Sequence, residues 1–226
     1  TYVLKVTPAT VTLKSKDLSK TYDGTALENG EEPLETETGW VDGEGATYAF
    51  TGSQTVAGSS PNAFTYEVNE GTKESNYVIN KTEGTLTVRE KPINPDDPES
   101  KGIEVSNPED VVYNGVDQKQ PVVVTDNGKT LVEGTDYVLA YSEDVKNVGT
   151  VTITITGIGN YKGTVTRTYQ ITKAPITVMT YSATKVYDGN PLTAPGEING
   201  LVNGEQVKFT VTGTQTNAGS SNNTYE

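Results

Sequence analysis

Three blocks of sequence recur in the same order at two places in this chain, and that repetition limits what it can fold into more than any other feature. Tyr22-Asp23-Gly24-Thr25-Ala26-Leu27 returns as Tyr187-Asp188-Gly189-Asn190-Pro191-Leu192. Gly39-Trp40-Val41-Asp42-Gly43-Glu44 returns as Gly200-Leu201-Val202-Asn203-Gly204-Glu205. Thr51-Gly52-Ser53-Gln54-Thr55 returns as Thr212-Gly213-Thr214-Gln215-Thr216, with Ala57-Gly58-Ser59-Ser60 matched by Ala218-Gly219-Ser220-Ser221. A unit copied along a chain is a module. Spacers and binding modules are copied in this way far more often than catalytic centres.

The local pattern makes each module β-rich. Thr, Tyr, Val and Ile supply much of the sequence and favour strands. The 23 Gly, the 11 Pro and the Asp-Gly and Asn-Gly pairs mark short strands joined by tight turns. The alternation of Val151, Ile153 and Ile155 with Thr152, Thr154 and Thr156 predicts a strand with one apolar face and one Thr face. Further strands are predicted at 47–51, 64–68, 76–79, 85–88, 121–124, 136–141 and 164–171. The expected fold class is all-β, with tandem small antiparallel β-sandwich (Ig-like) modules in an elongated array.

The expected organisation has five parts. Residues 1–7 read as the terminal strand of a preceding module. The first full repeat covers 8–90. Residues 91–99, with three prolines, read as a stiff linker. A module of a second type, with Tyr113-Asn114-Gly115 in place of Tyr-Asp-Gly, covers 100–173. The second copy of the repeat covers 174–226 and is C-terminally incomplete: Thr224-Tyr225-Glu226 matches Thr65-Tyr66-Glu67, and nothing matches 68–88. A sheet short of two strands exposes its edges, which leaves two readings: strand exchange between chains, with residues 1–6 as a donor, or a closing segment that was removed or is disordered.

Charge and chemistry narrow the function. The net charge of −13 argues against nucleic acid and anionic membrane surfaces as partners. No apolar run approaches 18 residues, so no membrane insertion is expected in this segment. Cys and His are both absent, which removes disulfides, thiolate and imidazole metal sites, and Ser-His-Asp or Cys-His catalysis. No catalytic, cofactor-binding or metal residue is assigned, no cofactor is expected, and the chain is read as no enzyme. Asp96 and Asp97 sit in the linker and read as solvated or loosely calcium-binding. Tyr22, Asp23, Gly24, Tyr187, Asp188 and Gly189 read as structural turns, with the Tyr rings of 22, 187 and 113 packed at a core edge. Trp40 is the candidate ligand contact, but Leu201 in its place in the second copy favours packing. A Lys–Asn isopeptide staple requires a buried Lys, an Asn and a neighbouring carboxylic acid.

The Tyr-Asp-Gly turn, the Gly52-Ser53-Gln54-Thr55-Val56-Ala57-Gly58-Ser59-Ser60 segment and the closing Asn76-Tyr77 with Gly84-Thr85-Leu86-Thr87-Val88 resemble YDG/MBG-type repeats of large bacterial cell-surface adhesins. The middle unit, with Gly134-Thr135-Asp136-Tyr137 and Gly157-Ile158-Gly159-Asn160-Tyr161, resembles a bacterial Ig-like repeat. The resemblance covers 8–90 well and 174–226 in part. It implies a stalk or adhesive segment on an extracellular bacterial cell wall, whose partners are adjacent repeats and a host glycan or protein. A ligand-binding module, or an accessory region of a carbohydrate-active surface enzyme, are the alternatives it leaves open.

Overall fold

The computed structural model describes residues 2–226 and is all-β, with one 3₁₀ turn at Glu74–Asn76 among the described residues. The chain divides into two compact units. One holds residues 2–105, 123–139 and 154–165; the other holds 106–122, 140–153 and 166–226. The strands Tyr137–Tyr141, Gly149–Gly157 and Thr164–Thr172 run through both. Residues 2–7 form no strand and lie exposed, and Thr1 falls outside the described residues.

The first repeat comprises β1 (Ala9–Lys14), β2 (Leu18–Thr21), β3 (Leu27–Glu28), β4 (Thr36–Thr38), β5 (Ala46–Phe50), β6 (Ser53–Gln54), β7 (Gly58–Asn62), β8 (Phe64–Val68), β9 (Tyr77–Thr82) and β10 (Gly84–Arg89). Two sheets dominate, ordered β4-β1-β9 and β2-β10-β7. They are mixed, which corrects the expectation of antiparallel sheets. β1 runs parallel to β9 and antiparallel to β4; β10 runs parallel to β2 and antiparallel to β7. The cause is a shared design of the first and last extended segments. Residues 9–21 and 77–89 each make one strand, break, and make a second strand in the other sheet, side by side all the way.

The break is fixed by buried polar groups. Ser15 Oγ donates to Asn62 O at 2.6 Å and accepts from Gly84 N at 2.8 Å. Asn62 Nδ2 donates to Lys16 O at 2.9 Å and Asn29 Oδ1 at 2.7 Å. Ser15, Asn29 and Asn62 are all buried, so these bonds satisfy groups that would otherwise be costly inside. A Cβ at Gly84 would collide with the Lys16 carbonyl, so only glycine lets the last segment pass this corner. Val11, Leu13, Leu34, Phe64 and Tyr77 form a buried core, flanked by Trp40, Tyr48 and Phe50.

The middle module adds β11 (Lys91–Pro92), β12 (Ile103–Val105), β13 (Val111–Val112), β14 (Val124–Asp126), β15 (Lys129–Thr130), β16 (Tyr137–Tyr141), β17 (Gly149–Gly157), β18 (Tyr161–Lys162) and β19 (Thr164–Thr172). Its main sheet is ordered β13-β19-β17-β16. Val151, Ile153 and Ile155 are buried while Thr152, Thr154 and Thr156 are only partly covered, as their alternation predicts. β13 is parallel to β19. β11 lies in the segment expected to be a linker, yet Lys91, Pro92 and Ile93 are buried and β11 pairs in parallel with β18.

In the second copy of the repeat, β20 (Thr177–Thr180) and β21 (Gly196–Asn199) pair as β1 and β4 do. The other pairings of this copy among the described residues are single bridges, Leu192 with Gln215 and Val211 with Tyr225. Val11 and Leu13 are fully buried, whereas their counterpart Ile176 is 53% exposed and Val178 is half-buried.

Candidate functional site

The recurring turns are closed by their own aspartates. Asp23 Oδ1 accepts from Thr25 N at 2.9 Å and Thr25 Oγ1 at 2.7 Å, and Gly24 follows at φ +80°. Asp188 Oδ1 accepts from Asn190 N at 3.0 Å, with Gly189 at φ +75°. Asn114 Oδ1 does the same for Val116 N at 3.1 Å, before Gly115 at φ +77°. All three are Asx turns, in which a short side chain caps the amide two residues on.

Sequence reasoning missed the two lysines that brace the aspartate turns, one in each copy. Lys20 Nζ donates to Asp23 Oδ1 at 2.8 Å, to Thr25 Oγ1 at 2.6 Å and to Ala26 O at 3.3 Å. Lys185 Nζ donates to Asp188 Oδ1 at 2.7 Å and to Asn190 O at 2.6 Å. The signal was a Lys three residues before Asp in each copy. The Lys20 ammonium, helped by the Thr25 donors, holds the Asp23 carboxyl down at about 2. Lys185 and the Asn190 amide lower Asp188 likewise. Of the three tyrosines expected at a core edge, Tyr187 departs from that expectation. Tyr22 packs edge-on against Tyr161, with ring centroids 5.6 Å apart. Tyr187 is 64% exposed, and Tyr113 is half-buried with its hydroxyl donating to Glu205. No core forms beside Tyr187, so its ring has nothing to pack into.

Trp40 is half-buried in an aromatic and acidic face of the first repeat. Its ring meets Tyr77 edge-on at 4.8 Å, and its Nε1 lies 3.4 Å from the Tyr48 hydroxyl. Tyr48 donates to Glu37 Oε1 at 2.6 Å, and Tyr77 donates to Glu44. Burial, then Glu37, pushes the Tyr48 phenol up to about 12. Neutral phenols donating to carboxylates beside a half-open indole make a surface suited to hydroxyl-rich ligands and to packing alike.

A third constellation lies where the chain leaves the first repeat. Lys91 N donates to Asn160 O and Ile93 N to Lys162 O, both at 2.9 Å. Lys91 Nζ reaches Asp126 Oδ1 at 2.6 Å, with the two side chains only 5% and 10% exposed. Tyr161 OH donates to Asp126 Oδ2 at 3.1 Å and Asn127 Nδ2 to Oδ1 at 2.9 Å. Burial, then Asp126, raises the Tyr161 phenol far above its ordinary value. The three residue types required for an isopeptide staple therefore meet here as Lys91, Asp126 and Asn127; Asn127 is exposed, and Lys91 with Asp126 forms an ion pair. Asp97 caps a turn through Glu99 N at 2.9 Å. No cluster of three acidic metal ligands occurs among the described residues.

The second copy carries an open groove of about 590 Å³. It is walled by residues 180–185 and 213–223, the counterparts of 15–20 and 52–62. The geometry also corrects the end of the sequence match. Thr212 N and Gly213 N bond to Thr224 O, as Thr51 N and Gly52 N bond to Ala63 O. Val211 bridges Tyr225 as Phe50 pairs with Phe64. Tyr225-Glu226 thus takes the place of Phe64-Thr65; the shared Thr-Tyr-Glu tripeptide had slipped the match by two residues, a slip that keeps every side chain on its own face. No family model, no curated protein and no solved structure matches this chain.

Proposed function

We propose that this chain is a load-bearing stalk or adhesive segment of an extracellular bacterial cell-surface protein, built of Ig-like sandwich modules whose partners are adjacent repeats. The observation that carries the reading is the parallel pairing of entry and exit strands. In the first repeat β1 pairs with β9 and β2 with β10; in the middle module β13 pairs with β19. Pulling the N-terminal end of one strand against the C-terminal end of a parallel neighbour loads all their hydrogen bonds together in shear, not one at a time. The buried Lys91, Pro92 and Ile93 support the same reading, because force leaving the first repeat passes into paired backbone instead of a slack spacer. Force spectroscopy with handles on the two ends of the chain tests it. Discrete, high-force ruptures for the first two modules are expected. Rupture at the low force of a peeling hairpin overturns the stalk reading.

The Trp40 face favours a second reading, a binding module for a host glycan or protein. Trp40, Tyr48 and Tyr77 offer ring surface beside the carboxylates of Glu37 and Glu44. A glycan array probed with the wild type and with Trp40→Ala separates the two. Binding that disappears in the variant, with an unchanged fold, supports it; an array without signal leaves the stalk alone.

A further inference from the structure

The recurring blocks reach beyond their own repeats. In the first repeat, two of them meet the loop 157–163 of the middle module. The Tyr22 ring packs edge-on against Tyr161, which is only 4% exposed. Ala57 N donates to Asn160 Oδ1 at 2.8 Å, while the Asn160 carbonyl accepts from Lys91 N at 2.9 Å. One asparagine therefore holds both the Ala57 turn and the chain leaving the repeat. The loop that presents it is closed by its own bonds: Gly157 N to Gly163 O at 2.9 Å, Tyr161 N to Ile158 O at 3.1 Å and Ile158 N to Asp136 O at 2.9 Å.

The remaining block does the same in the second copy, against the turn 113–115 of the middle module. Asn203 Nδ2 donates to Gly115 O at 2.8 Å, and the Tyr113 hydroxyl donates to Glu205. A Cβ at Gly115 would lie 2.4 Å from the Asn203 Cβ, so this approach needs glycine in the turn. The first set of contacts lies inside one compact unit and the second inside the other. Folding of a repeat by itself accounts for Asp23 and Gly24. It does not account for the Tyr22 ring, the Ala57 amide or the Asn203 side chain, whose partners belong to another module.

We propose that the recurring blocks are docking surfaces for a module of the middle type. Tyr22 and Ala57 receive a loop that presents Asn-Tyr, as Asn160-Tyr161 does. Asn203 and Glu205 receive a turn of the form Tyr-x-Gly, as Tyr113-Asn114-Gly115 does. Recognition is by ring edge, by an asparagine side chain on a backbone group, and by a phenol on a carboxylate. Modules joined by chain alone move relative to one another by default, and these contacts oppose that motion. The inference rests on the reading that adjacent repeats are partners, and it names the residues through which they are.

The chain has no Cys, so spin labels on the whole chain sit only where Cys is introduced. Glu67→Cys with Lys129→Cys spans the first contact and Asp117→Cys with Lys208→Cys the second; all four positions are exposed. Pulsed electron–electron resonance is expected to give one narrow distance distribution for each pair. Tyr22→Ala and Asn160→Ala are each expected to widen the first distribution about twofold, and Tyr22→Phe to leave it unchanged because the contact is ring to ring. Where Tyr22→Ala unfolds the first repeat, Asn160→Ala reads the same contact from the other side. Asn203→Asp, which installs the residue type found at Asp42 in the first copy, is expected to widen the second distribution alone. The proposal is overturned if the wild-type distributions are already broad, if Asn160→Ala and Asn203→Asp leave the widths unchanged, or if either variant widens both pairs alike. Broad distributions beside high-force rupture would remove the docking surfaces and keep the stalk; narrow ones beside low-force rupture would do the reverse.

Discussion

Replacing Lys91 by Met isolates what the buried ion pair does. The thioether keeps most of the aliphatic stem inside while the ammonium is removed. Asp126 then keeps the Tyr161 hydroxyl and the Asn127 amide but loses the charge that balanced it, at a position only 10% exposed. Stranding one member of a buried pair costs about 3–5 kcal/mol. Two surviving hydrogen bonds place this case at the lower end, about 3 kcal/mol, or roughly 10²-fold in the opening equilibrium. Recovery is expected for the double variant Lys91→Met with Asp126→Asn, which returns to within about 1 kcal/mol of wild type because no charge is left to desolvate and an amide oxygen still accepts from the Tyr161 hydroxyl. Hydrogen exchange at the Lys91 and Ile93 amides reads the local opening directly, since both bonds close onto Asn160 and Lys162. Urea titration followed by the single Trp, Trp40, reports whether the first repeat opens with it. A Lys91→Met loss below about 1 kcal/mol, or a double variant worse than the single one, refutes the reasoning.

Gly24→Val and Gly189→Val each force a β-branched residue into positive φ, and each is expected to cost its own repeat about 1–2 kcal/mol, read from module-resolved proteolysis. Asn62→Ala removes the bonds to Lys16 and Asn29 at a fully buried corner and is expected to cost about 2–3 kcal/mol in Trp40-monitored denaturation. The Asp23 carboxyl is held down in the folded state, so its contribution is complete above its unfolded value and is lost as pH falls through about 2. Because the carboxylate is half exposed, that contribution is about 0.5 kcal/mol or less, seen as a stability difference from Asp23→Asn that is present at pH 5 and closes toward pH 2. EDTA is expected to leave the melting temperature unchanged; a clear drop would restore Asp96 and Asp97 as calcium ligands.

Local pattern carried the parts of the fold that one residue and its neighbours decide. The Val151, Ile153, Ile155 alternation marked a strand because its period is its burial. The Asx turns were legible because Asp-Gly and Asn-Gly have few other uses. Pairing direction was not legible. It depends on where residues 9–21 and 77–89 cross between sheets, and that crossing is fixed by Ser15, Asn62 and Gly84, which are distant in sequence and individually unremarkable. β11 was hidden for a related reason. Lys-Pro reads as exposed and strand-breaking, and only Asp126, Tyr161 and the β18 backbone make it interior. Of the candidate sites, the turn aspartates were visible and their lysine partners were not, because a side chain reaching back three residues leaves no periodic trace.

The parallel pairing of β1 with β9 also sets an order of events in time. Ala9 cannot meet Tyr77 until everything between them has been made. At ribosomal speeds that wait is on the order of several seconds, long against the microseconds in which a local hairpin closes. During the wait β1 and β2 lack the parallel partners that flank them in the finished repeat. Folding of the first repeat is therefore completed by a late, non-local docking step of its closing strands, which makes such a module intrinsically slow.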